Sequence, residues 1–158
     1  MLDYYKGMDI SFLQEYMEKG MKTYDLDGTQ IDPLKLAKKH GVNAMRLRIW
    51  HTPTIAMAKK IKQEGFDFLL DFHYSDWWAD PGQQRKPKAW ENLHGTELEE
   101  AVYTYTNKVL CALKEAGAMP DMVQIGNEIR SGLLFPDVEL PDYASMVRLV
   151  NAGIRAAR

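Results

Sequence analysis

Residues 121–128 read Asp-Met-Val-Gln-Ile-Gly-Asn-Glu, and the fold is decided by how this stretch is understood. Met122 to Ile125 is a short, mostly apolar run, long enough for a buried strand and too short for a helix. It gives out into Gly126-Asn127-Glu128, so an amide and a carboxylate stand where the strand becomes a loop. In α/β barrels and open parallel sheets, the C-terminal ends of the strands carry the chemistry. Glu128, next to the amide of Asn127, is therefore a candidate for general acid/base work. The plainer alternative is a solvated glutamate that opens a loop.

Upstream of this strand lies the clearest helix in the chain. Leu98, Ala101, Val102, Tyr105, Val109, Ala112, Leu113 and Ala116 form one apolar stripe. Thr96 and Glu99 have capping-box spacing at its start, and Gly117 stops it. Cys111 is expected on the apolar side as a small buried hydrophobe. Downstream, Tyr143, Met146, Val147, Val150 and Ile154 mark a last amphipathic helix.

Further back, Phe66 to Phe72 predicts a strand leading into a long loop, with Asp71 and His73 on one face by parity. A helix is expected over roughly Thr54 to Glu64. Asn43 to Trp50 alternates: Ala44, Arg46, Arg48 and Trp50 share one face, and Met45, Leu47 and Ile49 the other. Asp32-Pro33 has the chemistry of a helix N-cap and first turn. Ser11 and Gln14 suggest a second capping box after a short strand at Gly7 to Ile10.

Glycines at 41, 65 and 117 each close a helix just before a strand, which predicts parallel βα units. Four such units can be read. The unusual residues gather in the loops after strands: Trp50-His51, His73 to Pro81, and Asn127-Glu128. That is the (β/α)8 TIM-barrel pattern, which typically needs about 250 residues. Residues 1–158 are thus expected to form a single α/β domain covering the first four βα units.

Composition narrows the function classes. Hydrophobic residues make up 46% and charged residues 27%, and the formal net charge is -2, so neither nucleic acid nor an acidic membrane is expected as partner. No window approaches the roughly eighteen apolar residues of a membrane span. Met1-Leu2-Asp3 lacks the basic start and apolar core of a signal peptide, which leaves localisation open. One cysteine excludes an intramolecular disulfide. No glycine-rich phosphate loop follows any strand, and no cofactor is expected.

Three segments carry a family resemblance: R-L-R-I-W at 46–50, L-D-F-H-Y-S-D-W-W-A-D-P-G at 70–82, and Q-I-G-N-E-I-R-S-G-L-L-F-P at 124–136. From about Gly7 to Arg158 the chain resembles the N-terminal half of the endo-β-1,4-galactanases, glycoside hydrolase family 53. The resemblance implies a (β/α)8 barrel, a secreted protein, and retaining hydrolysis of type I arabinogalactan by two glutamates. It gives Glu128 the acid/base role and Asn127 a contact with the sugar 2-hydroxyl. Arg46 would order the carboxylates, and His73 would belong to the pocket. Trp50, Asp76, Trp78, Asp80 and Trp90 would lie along the cleft for β-1,4-galactan. Tryptophan suits that substrate, because one face of a pyranose is apolar C–H surface. Of the adjacent Trp77 and Trp78, one is expected in the core and one in the cleft.

Two departures from the family pattern are visible. Its nucleophile is a second strand-end glutamate, and none follows within this sequence; Asp71 is the nearest substitute by topology. After Trp50, where the family carries a longer loop, only His51-Thr52-Pro53 is present. Two other functions remain open: a non-catalytic half-barrel that self-associates through open sheet edges, and a metal-dependent hydrolase built on Asp71, His73, Asp76 and Asp80.

Overall fold

Phe68, Leu70 and Phe72 alternate with polar or half-exposed neighbours and are each no more than 1% exposed, so one face of their strand is sealed by helices. In the computed structural model, which describes residues 4–50 and 55–158, that strand is one of four. They are β1 (Gly7–Asp9), β2 (Ala44–Ile49), β3 (Asp67–Phe72) and β4 (Met122–Ile125). All neighbours are parallel, and sequence order is spatial order. Five helices alternate with them: α1 (Leu13–Glu18), α2 (Pro33–Lys39), α3 (Ile55–Gln63), α4 (Gly95–Glu115) and α5 (Tyr143–Ala157). This is the expected run of four βα units. Two short antiparallel hairpins, Thr23–Tyr24 with Gln30–Ile31 and Gly132–Leu133 with Val138–Glu139, interrupt it.

Packing follows the alternation. Met45, Leu47 and Ile49 of β2 join the β3 phenylalanines and leucine against Met57, Ala58 and Ile61 of α3 and Leu98, Val102, Val109 and Leu113 of α4. Each large side chain buried there contributes about 1.5–3 kcal/mol relative to exposure. The opposite face of the sheet carries Arg46, Arg48 and Asp71. Gly41, Gly65 and Gly117 do end helices, at φ of 85°, 74° and 67°, a left-handed turn that glycine makes without steric cost. Asp32 caps α2 as expected, accepting from the N–H groups of Leu34 and Lys35 at 2.9 and 3.3 Å.

Other expectations are corrected. Neither predicted capping box forms. Helix α4 begins two residues early, with His94 rather than Thr96 at its N-cap, and Glu99 instead pairs with Arg148 of α5 at 3.0 Å. Helix α1 starts after Phe12, which frees the Ser11 hydroxyl for a different task. Cys111 is exposed, since the adjacent Leu110 takes the buried side of α4 with Val109 and Leu113. The buried face of α5 is Met146, Leu149, Ala152, Gly153 and Ala156, while Tyr143 and Val147 face outward. Small residues win that face because α5 packs closely: a Cβ on Gly153 would lie 2.6 Å from Ile125 Cγ2.

The two edge strands are open. All of β1 is exposed and all of β4 is half-buried. An apolar groove of about 520 Å³ is lined by Met8, Ile10, Leu34 and Met45. It lies on the helix side of the sheet, away from the charged face. No helix among the described residues is long and apolar enough to cross a membrane.

Candidate active site

Parallel register brings the polar side chains of three strands together. Asp9 pairs with Arg46 across β1 and β2, and Arg48 with Asp71 across β2 and β3. Arg46 is the hub. Its Nη1 donates to Asp9 Oδ2 at 2.5 Å, and its Nη2 donates to Asn127 Oδ1 at 2.9 Å and also to Asp71 Oδ2. Asp71 is fully buried and its Oδ1 has no hydrogen-bond partner among the described residues, so the guanidinium is its main compensation.

His73 is also buried. Its Nδ1 accepts the Ala79 N–H at 2.9 Å, which places any single ring proton on Nε2. That Nε2 lies 3.2 Å from Asp71 Oδ2, close in distance but without hydrogen-bond alignment. Asn127 completes the frame. Its Nδ2 donates to the Ala79 carbonyl at 2.8 Å, and its own carbonyl accepts from Gln84 Nε2 at 2.7 Å. The backbone of Ala79 thus ties His73 to Asn127, and the long loop after β3 is a built wall of the site.

Glu128 follows immediately, with φ 50° and ψ 41°. This left-handed conformation is uncommon for a residue with a Cβ. It turns the chain from β4 into a short 3-10 turn at Ile129–Ser131, and it leaves the glutamate exposed beside the buried Asn127. Gly126 before it has φ 84° and space for no Cβ, with Ile129 Cγ2 2.6 Å from where one would stand.

Trp50 lies edge-on to His73, ring centres 5.6 Å apart, and 6.1 Å from Trp77. Trp78 stacks on the Arg48 guanidinium at 4.3 Å. Trp77 and Trp78 are 66% and 38% exposed, so neither is a core residue, contrary to expectation. The core positions of this loop belong to Tyr74, which stacks on Phe72, and to Ala79. Trp90 sits further out with Trp50, Asp76 and Tyr105 around a small cavity of about 130 Å³. Asp76 accepts the Lys88 N–H at 2.7 Å, and Asp80 accepts from Gly82 N–H and Gln83 Nε2 at 2.8 and 2.7 Å, bonds within the loop itself. The structure therefore gathers Arg46, His73, Asn127 and Trp50 around Asp71, with Glu128 and Trp78 at the margin. His51 to Pro53 lie outside the described residues. Among the described residues, no three His, Cys, Asp or Glu side chains come together as a metal-holding group.

Burial pushes the Asp9 carboxyl up, but the Ser11 hydrogen bonds and the Arg48 and Arg46 charges outweigh it and hold the group below the ordinary carboxylate range. Burial, with a smaller push from nearby acidic groups, drives the phenols of Tyr74 and Tyr105 well above their usual values. Asp9, Ser11, Ala79 and Gln84 were not anticipated as parts of the site. Asp9 could have been found as the carboxylate at the end of the first strand, but Ser11 was concealed by its cap-like spacing.

The βα-barrel glycoside hydrolases are the class to which this fold corresponds. Glycosyl hydrolase family 53 matches residues 5–158, and the chain belongs to that family. It is 51% identical over 140 residues to a Niallia circulans protein described as lying in the bgaB 5' region, a match covering 83% of this chain and 38% of that one. It is 36% identical to the arabinogalactan endo-beta-1,4-galactanase of Cellvibrio japonicus, over 98% of this chain and 45% of the relative. The solved GH53 catalytic domain of Ignisphaera aggregans superposes with a TM-score of 0.94 at 44% identity, over 98% of this chain and 48% of that domain. The chain thus spans about half the length of the relatives it matches, and its four βα units are part of a (β/α)8 barrel.

Proposed function

We propose that these residues supply the acid/base half of an endo-acting glycoside hydrolase that cleaves β-1,4-galactosidic bonds in galactan. Glu128 donates a proton to the leaving oxygen and then takes one from water. Asn127 meets the sugar 2-hydroxyl, Arg46 and His73 order the pocket floor, and Trp50, Trp78, Trp90, Asp76 and Asp80 line the cleft. The observation that carries this proposal is the placing of Glu128: an exposed carboxylate at the end of β4, held in a left-handed turn next to an Asn127 anchored on Arg46, Ala79 and Gln84. The galactanase relative supports the substrate.

A retaining mechanism needs a second carboxyl group about 5–5.5 Å from the first. At the ends of the four parallel strands no second glutamate is available among the described residues, and Asp71 is engaged by Arg46. The nucleophile is therefore assigned to the portion of the barrel beyond the matched half. The test is reducing-sugar release from β-1,4-galactan by three proteins: this chain alone, this chain joined to the remaining strands of the Ignisphaera aggregans domain, and the joined protein with Glu128→Gln. Activity is expected only in the second, with the substitution costing about 10²–10⁴-fold. A joined protein that folds but is inactive, or an unaffected Glu128→Gln, would refute the assignment.

The open edges of β1 and β4 support a second reading, a half-barrel that pairs with another copy. Analytical ultracentrifugation separates the two: a compact monomer at micromolar concentration removes the second.

A further inference from the structure

We propose that Asp9 and Ser11 are positioning residues that clamp Arg48 beneath the Trp78 indole, holding its outer face as a rigid platform for the apolar face of a pyranoside. The identity of that pyranoside as a galactosyl unit rests on the function proposed above; the clamp does not.

Arg46 and Arg48 project from the same face of β2 two residues apart, and like charges so placed repel. Asp9 answers both. Its Oδ2 is 2.5 Å from Arg46 Nη1 and 3.3 Å from Arg48 Nε, and its Oδ1 accepts from Arg48 Nη2 at 3.4 Å. The Arg48 side chain is only 10% exposed, so its charge depends on these partners.

Ser11 sets the direction. Its Oγ donates to Asp9 Oδ1 at 2.6 Å and accepts from the Arg48 N–H and Nε at 2.9 and 3.1 Å, and its own N–H donates to Asp9 Oδ1 at 3.0 Å. One donor and two acceptor positions are the full capacity of a hydroxyl. Every bond is spent on the angle between Asp9 and Arg48, and none on the helix that Ser11 precedes.

The guanidinium is thereby held between two rings, 5.2 Å from the centre of Phe12 and 4.3 Å from that of Trp78. One indole face lies on the cation, and Trp78 remains 38% exposed. A side chain fixed before the ligand arrives loses less freedom on binding. A cation beneath an indole also restrains it against swinging into solvent with its exposed neighbour Trp77. Lysine at position 48 would keep the charge but lose the planar stacking surface and the fork of donors.

The test uses the 158-residue chain and two readouts. The first is the near-ultraviolet circular dichroism assigned to Trp78, obtained as wild type minus Trp78→Ala. The second is affinity for a soluble β-1,4-galactan oligosaccharide, measured by calorimetry. Ser11→Ala and Arg48→Lys are each expected to diminish the Trp78 signal and weaken binding about five- to tenfold. Ser11→Thr, which keeps the hydroxyl, should restore both. In a Trp78→Ala background, Ser11→Ala should have no further effect on binding, because the platform it serves is gone.

An unchanged Trp78 signal in both variants overturns the proposal, whatever binding does. So does a binding penalty of equal size with and without Trp78, which is the behaviour of a residue that merely supports the fold. Should the 158-residue chain fail to bind the oligosaccharide, the Trp78 signal alone decides the clamp, and the galactan assignment stays with the joined protein. If Ser11→Ala unfolds below the assay temperature, Arg48→Lys carries the same comparisons.

Discussion

Replacing Arg46 by Met removes the cation that compensates Asp71 and leaves a carboxylate with no exposure and neither oxygen hydrogen-bonded among the described residues. Stranding a buried charge costs about 3–5 kcal/mol. The lower end applies, because the Arg46 side chain is 27% exposed and water can follow it into the gap. We therefore expect a loss of about 3 kcal/mol, which for a chain of this length lowers the melting temperature by roughly 6–12 °C. Urea titration at pH 7, followed by far-ultraviolet circular dichroism, measures it against Asp71→Asn and the double variant. Removing both partners strands no charge, so the double variant should lose clearly less than the sum of the singles. A cost for Arg46→Met below about 1 kcal/mol, or strict additivity, would refute the view of Arg46 as the hub of the site.

Gly153→Ala on α5 places a methyl 2.6 Å from Ile125 Cγ2 and 2.8 Å from the Tyr74 hydroxyl; overpacking of this kind should cost about 1–3 kcal/mol in the same titration. Thr106→Val leaves the buried Tyr74 hydroxyl without its 2.8 Å partner, for a loss of about 1–3 kcal/mol, and an unchanged urea midpoint would count against that bond. Acid lability should track Asp137. Burial pushes its carboxyl up, but bonding to Lys86 and His94 outweighs that and holds it below the ordinary range. A folded-state value below the unfolded one adds stability that is present above about pH 4 and is lost as the pH falls through the folded value. Asp137→Asn should accordingly flatten the acid limb of the melting-temperature profile, and an unaltered limb would contradict the sign.

The parts legible in the sequence were those written in local chemistry. Alternation in Asn43 to Trp50 separates the Arg46 face from the Leu47 face without any tertiary information, and glycines at helix ends announce each following strand. The Asp32 cap is equally local. What escaped depended on partners distant in sequence. Ser11 and Thr96 both have cap spacing, but Ser11 meets Arg48, 37 residues away, and Thr96 lies inside a helix that starts at Gly95. The buried face of α5 was misjudged because hydrophobicity favours Val147 over Gly153, whereas close approach to Ile125 rewards absence of a side chain. In the candidate site, Glu128, Asn127, Arg46 and His73 were named from motif and strand end, and the fold brings Arg46, His73 and Asn127 into one hydrogen-bonded group. The joining of His73 to Asn127 through the backbone of Ala79 carries no side-chain signal and could not be read.

The central claim, that Glu128 protonates the leaving oxygen, is tested most directly by changing what leaves. In the joined protein, Glu128→Gln should lose about 10²–10⁴-fold on β-1,4-galactan. It should keep nearly all of its first-step rate on a dinitrophenyl galactobioside, whose leaving phenolate needs no proton. Equal losses on both substrates would contradict the acid role and move Glu128 from proton donor to structural support.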